Sequence, residues 1–265
     1  MTETAAAEGG VKVDLVGHVA TVEFSRPPTN FFDLALIGGI ADALEALDKE
    51  PLCRAVVLAS SGRIFCAGAD LANPSTAVHD ITSPFPPPRQ LYKEAVRLVR
   101  TAKPIVVAVQ GPAIGGGLGL AMVGDFRVTC PEARYSANFL RLGFHPGFGL
   151  THVLPKLIGP QQAALMIYTA RRIDGVKAVE LGLADVLTDV DNVRAGAQEL
   201  AAEIAGSAPL ALLSARESLR RGYADAIEAA TERELTEQRW HLQSRDFTEG
   251  VKASNERRTP VFEGR

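Results

Sequence analysis

The sequence predicts an α/β fold in which a mostly parallel β-sheet forms the first half and helices form the last part. Up to about residue 150, short β-branched runs alternate with helical segments. An order of strand, helix, strand, helix and strand is typical of parallel sheets with right-handed crossovers. After residue 150 the strand signals nearly stop. The chain has 265 residues, 46% of them hydrophobic, which is enough for a well-buried core.

The first elements are a predicted hairpin and a helix. Residues 11–24 alternate apolar and polar side chains around Gly17 and His18, as two short antiparallel strands do. Asp33 is placed to cap a helix that runs to about Lys49. The apolar face of this helix consists of Leu36, Ile40, Leu44 and Leu47.

The later strands and helices follow from simpler patterns. Short β-branched runs at 54–60, 104–109 and 126–130 predict buried strands. The change to a helical region falls near residues 190 to 208. The helices predicted after residue 150 are 161–170, 175–183, 191–206, 209–221 and 224 to about 242.

Composition excludes several classes of function. The formal net charge is −3 and the isoelectric point is near 6.0. The sequence also has no basic block, so a nucleic acid or an anionic membrane is disfavoured as a binding partner. No apolar stretch approaches the roughly 20 residues of a membrane span. Residues 1–10, MTETAAAEGG, predict a disordered tail rather than a secretion signal. Three cysteines, Cys53, Cys66 and Cys130, favour a reduced compartment, so we expect a cytoplasmic protein.

A proline-rich stretch separates two predicted elements. Residues 73–88 are too long and too rich in proline for an ordinary connection. Two interpretations stay open, a mobile flap over a site and a surface loop.

Two glycine-containing turns indicate a site. GPAIGGGLG spans residues 111–119, and FCAGADL lies in the turn of residues 60–71 after the preceding strand. Bare backbone there lets a ligand oxygen approach N–H groups, and both turns lie at the carboxyl ends of parallel strands. A phosphate loop is disfavoured because no Gly-Lys-Ser/Thr ending is present. Tight packing between helix and strand is the structural alternative.

These motifs carry a family resemblance. FCAGADL, KPIVVAVQGPAIGGGLGLAMVGDFRV and PGFG, in this order, resemble the crotonase superfamily, the enoyl-CoA hydratase/isomerase family. The resemblance implies a ClpP-like fold of repeated ββα units in two roughly perpendicular sheets, plus a helical trimerisation region. On this basis residues 11–195 form the acyl-CoA-binding core and 196–265 the trimerisation region. It also implies a homotrimer or a dimer of trimers.

The resemblance assigns site residues by position. It implies that the backbone N–H groups of Ala69 and Gly116 form an oxyanion hole for an acyl-CoA thioester. Ala67, Asp70 and Leu71 are expected to border the path of coenzyme A. Coenzyme A enters as part of the substrate, and we expect no permanently bound cofactor and no metal.

Two positions depart from the hydratase pattern. Hydratases of the family carry a glutamate two residues after the glycine triplet and another ahead of the P-G-x-G turn. The matching residues here are Gly119 and Phe139. Because positioned acids and bases each contribute about 10²–10⁴-fold, hydration by two glutamates is disfavoured.

Another side chain has to be considered for proton transfer. His145, in GFHPGFG, is the first candidate because an imidazole titrates near neutrality, although it also fits a turn-capping role. Cys66 has no evident activating base nearby in the sequence, which argues against a nucleophile. The remaining candidates, for each of which a surface role is the alternative, are His79, Asp80, Tyr92 and Glu94.

Aromatic and basic residues complete the predicted site. Phe139, Phe144 and Phe148 are expected to line an apolar acyl pocket, with Phe139 filling the space left by a carboxylate. Arg26, Arg257 and its neighbour Arg258 are candidates for contacting the phosphates of coenzyme A, with ordinary solvated surface as the alternative.

The predicted function follows from these residues. The first hypothesis is an enzyme that acts on an acyl- or enoyl-CoA through an oxyanion-stabilised enolate without two-glutamate chemistry. The alternative is a non-catalytic acyl-CoA binding or carrier protein. Weak hydration by solvent-assisted protonation is a third possibility.

Overall fold

The computed structural model describes residues 10–71 and 87–265. The predicted tail, apart from Gly10, and most of the proline-rich stretch, with His79 and Asp80, lie outside these residues. The strands are β1 Val11–Val16, β2 Val19–Phe24, β3 Ala55–Ser60, β4 Ile105–Val109, β5 Ala113–Ile114, β6 Phe126–Thr129, β7 Arg134–Ser136, β8 Ile173–Asp174 and β9 Val186–Leu187. The helices are α1 Leu34–Asp48, α2 Pro87–Arg100, α3 Gly116–Ala121, α4 Leu150–Thr169, α5 Gly175–Leu181, α6 Val193–Ala205, α7 Pro209–Leu219, α8 Tyr223–His241 and α9 Arg245–Asn255.

A six-stranded sheet forms the centre of the fold, in the order β1-β2-β3-β4-β6-β9. The hairpin of β1 and β2 is antiparallel, and every later pairing in this sheet is parallel. All residues of β3 and β4 are buried, as expected for central strands with both faces covered. The predicted mostly parallel sheet is therefore confirmed.

A second, three-stranded sheet is present, as the family resemblance implied, although no pattern in the sequence indicated its individual strands. It has the order β5-β7-β8, with β5 parallel to β7 and β7 antiparallel to β8. Its strands have two or three residues, too few to show an alternating pattern in the sequence. Strand β5 is an edge strand of this sheet, and the glycine triplet follows it directly in the sequence.

Helix boundaries agree best where the capping chemistry is local. The Asp33 side chain accepts a hydrogen bond from Leu36 N–H at 2.9 Å, so α1 begins as predicted. The helix predicted at 161–170 agrees with the part of α4 that follows the non-helical residue Gly159, whereas the segment of α4 that begins at Leu150 was not predicted. The start of α2 at Pro87, inside the proline-rich stretch, agrees with the tolerance of proline at a first helical position.

The last helices return to the sheet and to the loops that follow it. Helix α6 packs on β3 and β4, and α8 packs beside α2 and α4. Helix α9, which was not predicted, contacts a short 3-10 helix at Asn138–Leu142. In the part of the chain described, no helix combines the length and apolar character needed to cross a bilayer.

Candidate active site

Two loops meet beyond the ends of β3 and β4. Cys66 pairs with Ala113 in an isolated bridge, in which Cys66 N–H donates to Pro112 O and Ile114 N–H donates to Cys66 O, both at 3.0 Å. Gly68 has φ +91°, and a Cβ on it would lie 2.8 Å from Ile114 O. Only glycine fits this close approach without strain. The two glycine-containing turns identified in the sequence are therefore side by side.

Residues from both turns line one space. The N–H of Gly115 donates to Ser136 O at 2.8 Å, and Gly116 is the first residue of α3. Within the described residues, the N–H groups of Ala69 and Gly116 donate to no protein acceptor. Both residues line the same pocket. Two unengaged donors thus remain for a ligand oxygen.

The pocket around these donors is mostly apolar. It has room for the centre of a water-sized sphere over about 70 Å³, and about 600 Å³ when the open solvent at its mouth is included. Of its described lining side chains, only Tyr92, Asn138 and Gln238 are polar, and none is acidic, basic or histidine. The described lining residues are Phe32, Ala67, Gly68, Ala69, Leu71, Leu91, Tyr92, Ile114, Gly115, Gly116, Asn138, Phe139, Leu142, Phe144, Gly147, Phe148 and Gln238.

Phenylalanine rings form much of the pocket wall. Phe139, Phe144 and Phe148 are each less than 10% exposed and all line the pocket. The ring centroids of Phe139 and Phe144 are 5.3 Å apart in an edge-to-face arrangement, and those of Phe32 and Phe148 are 5.6 Å apart. These ring contacts pack the wall of the pocket.

Phe148 occupies the space beside Gly119. A Cβ on Gly119 would lie 2.5 Å from Phe148 Cβ and 2.6 Å from its Cγ. Phe148 has φ +63°, a conformation that few side-chain-bearing residues adopt. The sequence did not indicate that Phe148 occupies the space beside Gly119. No local pattern links residues 119 and 148.

A buried polar cluster supports the pocket from α8. Glu234 is fully buried and accepts hydrogen bonds from Gly149 N–H at 2.8 Å, Thr151 N–H at 3.0 Å and Thr151 Oγ1 at 2.6 Å. Burial raises the pKa of this carboxyl to about 7. Glu234 thus caps the start of α4 beside Phe148. No local sequence pattern indicates this role, because Glu234 lies more than 80 residues beyond the start of the helix that it caps.

The structure does not bring His145 to this pocket. Its ring lines a separate surface groove, its Nδ1 lies 2.8 Å from Pro146 O, and its ring centroid is 6.3 Å from that of His241. The backbone of His145 contacts the pocket wall instead, because its carbonyl oxygen accepts a hydrogen bond from Gln238 Nε2 at 2.9 Å. The expectation that this imidazole faces the reacting atoms therefore lacks support in the geometry.

Other candidates are engaged in structural contacts. Glu94 pairs with Arg97 on α2. Cys66 is fully buried, and burial raises the pKa of its thiol to about 12, so the thiolate is not available near neutrality. Ala67 and Leu71 line the pocket, whereas Asp70 is not among its described lining residues.

The candidate phosphate-binding cations differ in their surroundings. Arg26 forms an ion pair with Asp33 at 2.5 Å near the start of α1. Arg258 binds Glu249 and Glu256 at 2.5 and 2.6 Å. Arg257 is exposed, and its side chain contacts no carboxylate in the described part of the chain. Of the three, Arg257 is the one left available to an anion.

Comparisons with known proteins agree with this architecture. A model of the enoyl-CoA hydratase/isomerase family matches residues 15–265. The chain is 30% identical over 247 residues to crotonyl-CoA hydratase of Syntrophomonas wolfei, covering 92% of this chain and 94% of the relative. It is 28% identical over 253 residues to 1,2-epoxyphenylacetyl-CoA isomerase of Escherichia coli, covering 93% and 95%. A solved enoyl-CoA hydratase/isomerase from Pseudoalteromonas atlantica matches with a TM-score of 0.85 and 29% identity, covering 96% of this chain and all of that one. The crotonase fold is thereby confirmed, and the chain belongs to the enoyl-CoA hydratase/isomerase family.

Proposed function

We propose that this protein binds the thioester of an acyl- or enoyl-CoA and stabilises the negative charge that develops on its carbonyl oxygen. Family members act on CoA thioesters, and this membership makes the thioester the expected ligand. The N–H groups of Ala69 and Gly116 receive the oxygen. An enolate formed at the α-carbon is then stabilised by two preorganised donors, each worth about 10²–10³-fold in rate.

The observation that carries this proposal is the pair of unengaged donors. Within the described residues, no protein acceptor satisfies them, although both open on an apolar pocket. A backbone donor in such surroundings requires an acceptor from a ligand or water. A thioester oxygen followed by an apolar acyl chain matches both the donors and the wall.

The reaction we propose does not use two glutamates. Gly119 and Phe139 stand at the two positions, and the ring of Phe148 excludes a side chain at residue 119. An apolar, water-poor wall favours proton shifts or carbon chemistry at the enolate over addition of water. The incoming acid or base must be another group, and His145 is placed outside the pocket.

A second candidate function is non-catalytic binding of acyl-CoA. The specific observation in its favour is that none of the described lining side chains titrates near neutrality. Such a pocket binds and shields a thioester without moving protons. This candidate keeps the same ligand and the same two donors.

Two measurements on the wild-type protein test these functions. Crotonyl-CoA and longer enoyl-CoAs are added, and loss of the absorbance of the conjugated thioester is followed, with acyl-CoA affinity measured by calorimetry. We expect binding with turnover far below that of a two-glutamate hydratase. Turnover close to such an enzyme would contradict the proposal for Gly119 and Phe139, and absent binding would contradict both functions.

The donor of Gly116 is tested with a matched pair of variants. A Cβ at this position contacts the Phe32 ring, so Gly116→Ala and Gly116→Pro share the steric cost. Only proline removes the N–H. We expect Gly116→Pro to lose more affinity or turnover than Gly116→Ala, and equal losses would exclude this N–H as a ligand donor.

We also propose a trimer or a dimer of trimers, with 196–265 supplying contacts between subunits. Large apolar side chains on these helices support it, since Leu210 and Leu219 on α7 are 83% and 87% exposed and Trp240 on α8 is 58% exposed. Apolar surface of this kind is typical of protein interfaces.

A further inference from the structure

A tyrosine and a glutamine form a hydrogen-bonded pair in the wall of the pocket. Tyr92 on α2 donates its hydroxyl hydrogen to Gln238 Oε1 on α8 at 2.8 Å, and both side chains line the cavity. The surrounding wall is made mainly of phenylalanine, leucine and small residues. A polar pair in such surroundings is costly unless its hydrogen-bonding capacity is used.

The orientation of the glutamine amide is fixed by the backbone. Gln238 Nε2 faces the carbonyl oxygens of His145 at 2.9 Å and Pro146 at 3.3 Å. Only the NH₂ side of the amide donates, so this side must face the two carbonyls. The Oε1 atom is therefore directed at Tyr92, and the single hydroxyl hydrogen of Tyr92 is committed to it.

What Tyr92 offers to a ligand is consequently an acceptor. A phenol has one hydrogen, and with that hydrogen on Gln238 its oxygen can only accept, both from the nearby backbone N–H of Phe148 and from a ligand. Burial, together with the charge of Glu234, raises the pKa of Tyr92, so the hydrogen is retained at neutral pH. The loop is shaped around the pair, because a Cβ on Gly147 would contact Tyr92 Oη and lie 2.7 Å from Gln238 Nε2.

The ligand group that fits is a neutral hydrogen-bond donor. None of the described lining side chains is acidic, so a buried ammonium group would have no counter-charge. A hydroxyl donates without carrying charge. We propose that the acyl group of the substrate carries a hydroxyl that donates to Tyr92 Oη, an inference that rests on the proposed binding of an acyl-CoA thioester.

The same geometry disfavours an oxo group at that position. A carbonyl oxygen is an acceptor and would face another acceptor. Turning the Tyr92 hydroxyl toward it leaves Gln238 Oε1 buried without a donor, which carries the cost of an unsatisfied polar group. The Tyr92–Gln238 pair is thus expected to bind hydroxyacyl groups more tightly than oxoacyl or unsubstituted acyl groups.

Calorimetry with a matched series of thioesters tests this inference. The probes are hexanoyl-CoA, its derivatives hydroxylated at carbons 3, 4, 5 or 6, and the oxo compound for each hydroxylated carbon. The proteins are wild type, Tyr92→Phe, and Tyr168→Phe as a control, since Tyr168 is 74% exposed and lies outside this pocket. We expect one hydroxyl isomer to bind on the order of tenfold tighter than hexanoyl-CoA and its own oxo analogue.

The variants then identify the group responsible. In Tyr92→Phe the preference should fall to about onefold while hexanoyl-CoA still binds, which also shows that the variant is folded. Tyr168→Phe should keep the preference. Equal binding of all thioesters, or a preference that survives Tyr92→Phe, would overturn the hydroxyl subsite alone. If neither hexanoyl-CoA nor any derivative binds to the wild type, both the hydroxyl subsite and the proposed function are contradicted.

Discussion

Replacing Gly119 with alanine tests whether Phe148 occupies the hydratase position. The added Cβ would lie 2.5 Å from Phe148 Cβ, 2.6 Å from Cγ and 2.7 Å from Cδ1. The nearest of these atoms is bonded to the backbone and cannot rotate away. The adjacent residue, Gly149, is held by its N–H bond to Glu234 at 2.8 Å. We therefore expect a cost of about 1–3 kcal/mol in the free energy of unfolding, the usual cost of overpacking a core.

A second helical glycine provides the control. Gly38 lies in α1, and a Cβ there would meet only Glu94, with its nearest atom, Oε2, at 3.7 Å. Gly38→Ala should stabilise the protein by about 0.5–1 kcal/mol, because alanine loses less backbone entropy on folding than glycine. The two substitutions therefore have opposite expected signs, to be measured by urea unfolding followed by circular dichroism.

A double-mutant cycle assigns the cost to the contact. Phe148→Gly removes all three clashing atoms and suits the φ of +63° at this residue, although it also removes a buried ring. In that background Gly119→Ala should cost close to nothing, giving a coupling of about 1–3 kcal/mol. Stabilisation by Gly119→Ala like that by Gly38→Ala, or a cost that persists without the ring, would show that Phe148 does not occupy this space.

Two further predictions concern charge. Burial raises the pKa of Glu234 to about 7 from its ordinary value of 4.5, so the folded protein retains a proton that the unfolded chain releases between these values. The stability that this group contributes is thus present at low pH and falls as the pH rises toward 7. Glu234→Gln should remove this pH-dependent loss of stability, measured by urea unfolding at about pH 5 and pH 8. If the variant and the wild type show the same pH dependence, Glu234 is not the group responsible. Arg257→Ala should weaken binding of acyl-CoA, mainly at low salt. Arg258→Ala should weaken it less, because the guanidinium of Arg258 already binds Glu249 and Glu256. Calorimetry at two salt concentrations checks this, and a larger effect of Arg258→Ala would exclude Arg257 as the phosphate contact.

The sequence was sufficient for features that depend on nearby residues. The hairpin at 11–24, the cap at Asp33 and the central strands follow from alternation, capping chemistry and β-branched runs. The meeting of the two glycine turns also followed, because parallel strands end at one edge of a sheet. These predictions rest on local periodicity and one rule of topology.

The side chains that complete the pocket could not be found in this way. Gln238 and Glu234 come from α8, about 85 to 93 residues after the loop whose backbone they bind. Their spacing on α8 resembles that of any polar helix face. His145 was favoured for its chemistry and its place in the sequence, but side-chain direction in a turn depends on φ and ψ, which its neighbours in sequence do not determine.

The absence of an acid at residue 119 is therefore a property of several residues together. Phe148 fills the position with its Cβ and ring, its left-handed backbone sets that placement, and Glu234 holds the next N–H from α8. Gly119→Glu alone puts a carboxylate against an aromatic ring with no room for a water nucleophile. Placing any larger side chain at residue 119 requires the ring of Phe148 to be moved or removed, so the proposed lack of two-glutamate chemistry rests on this packing as well as on the identity of residue 119.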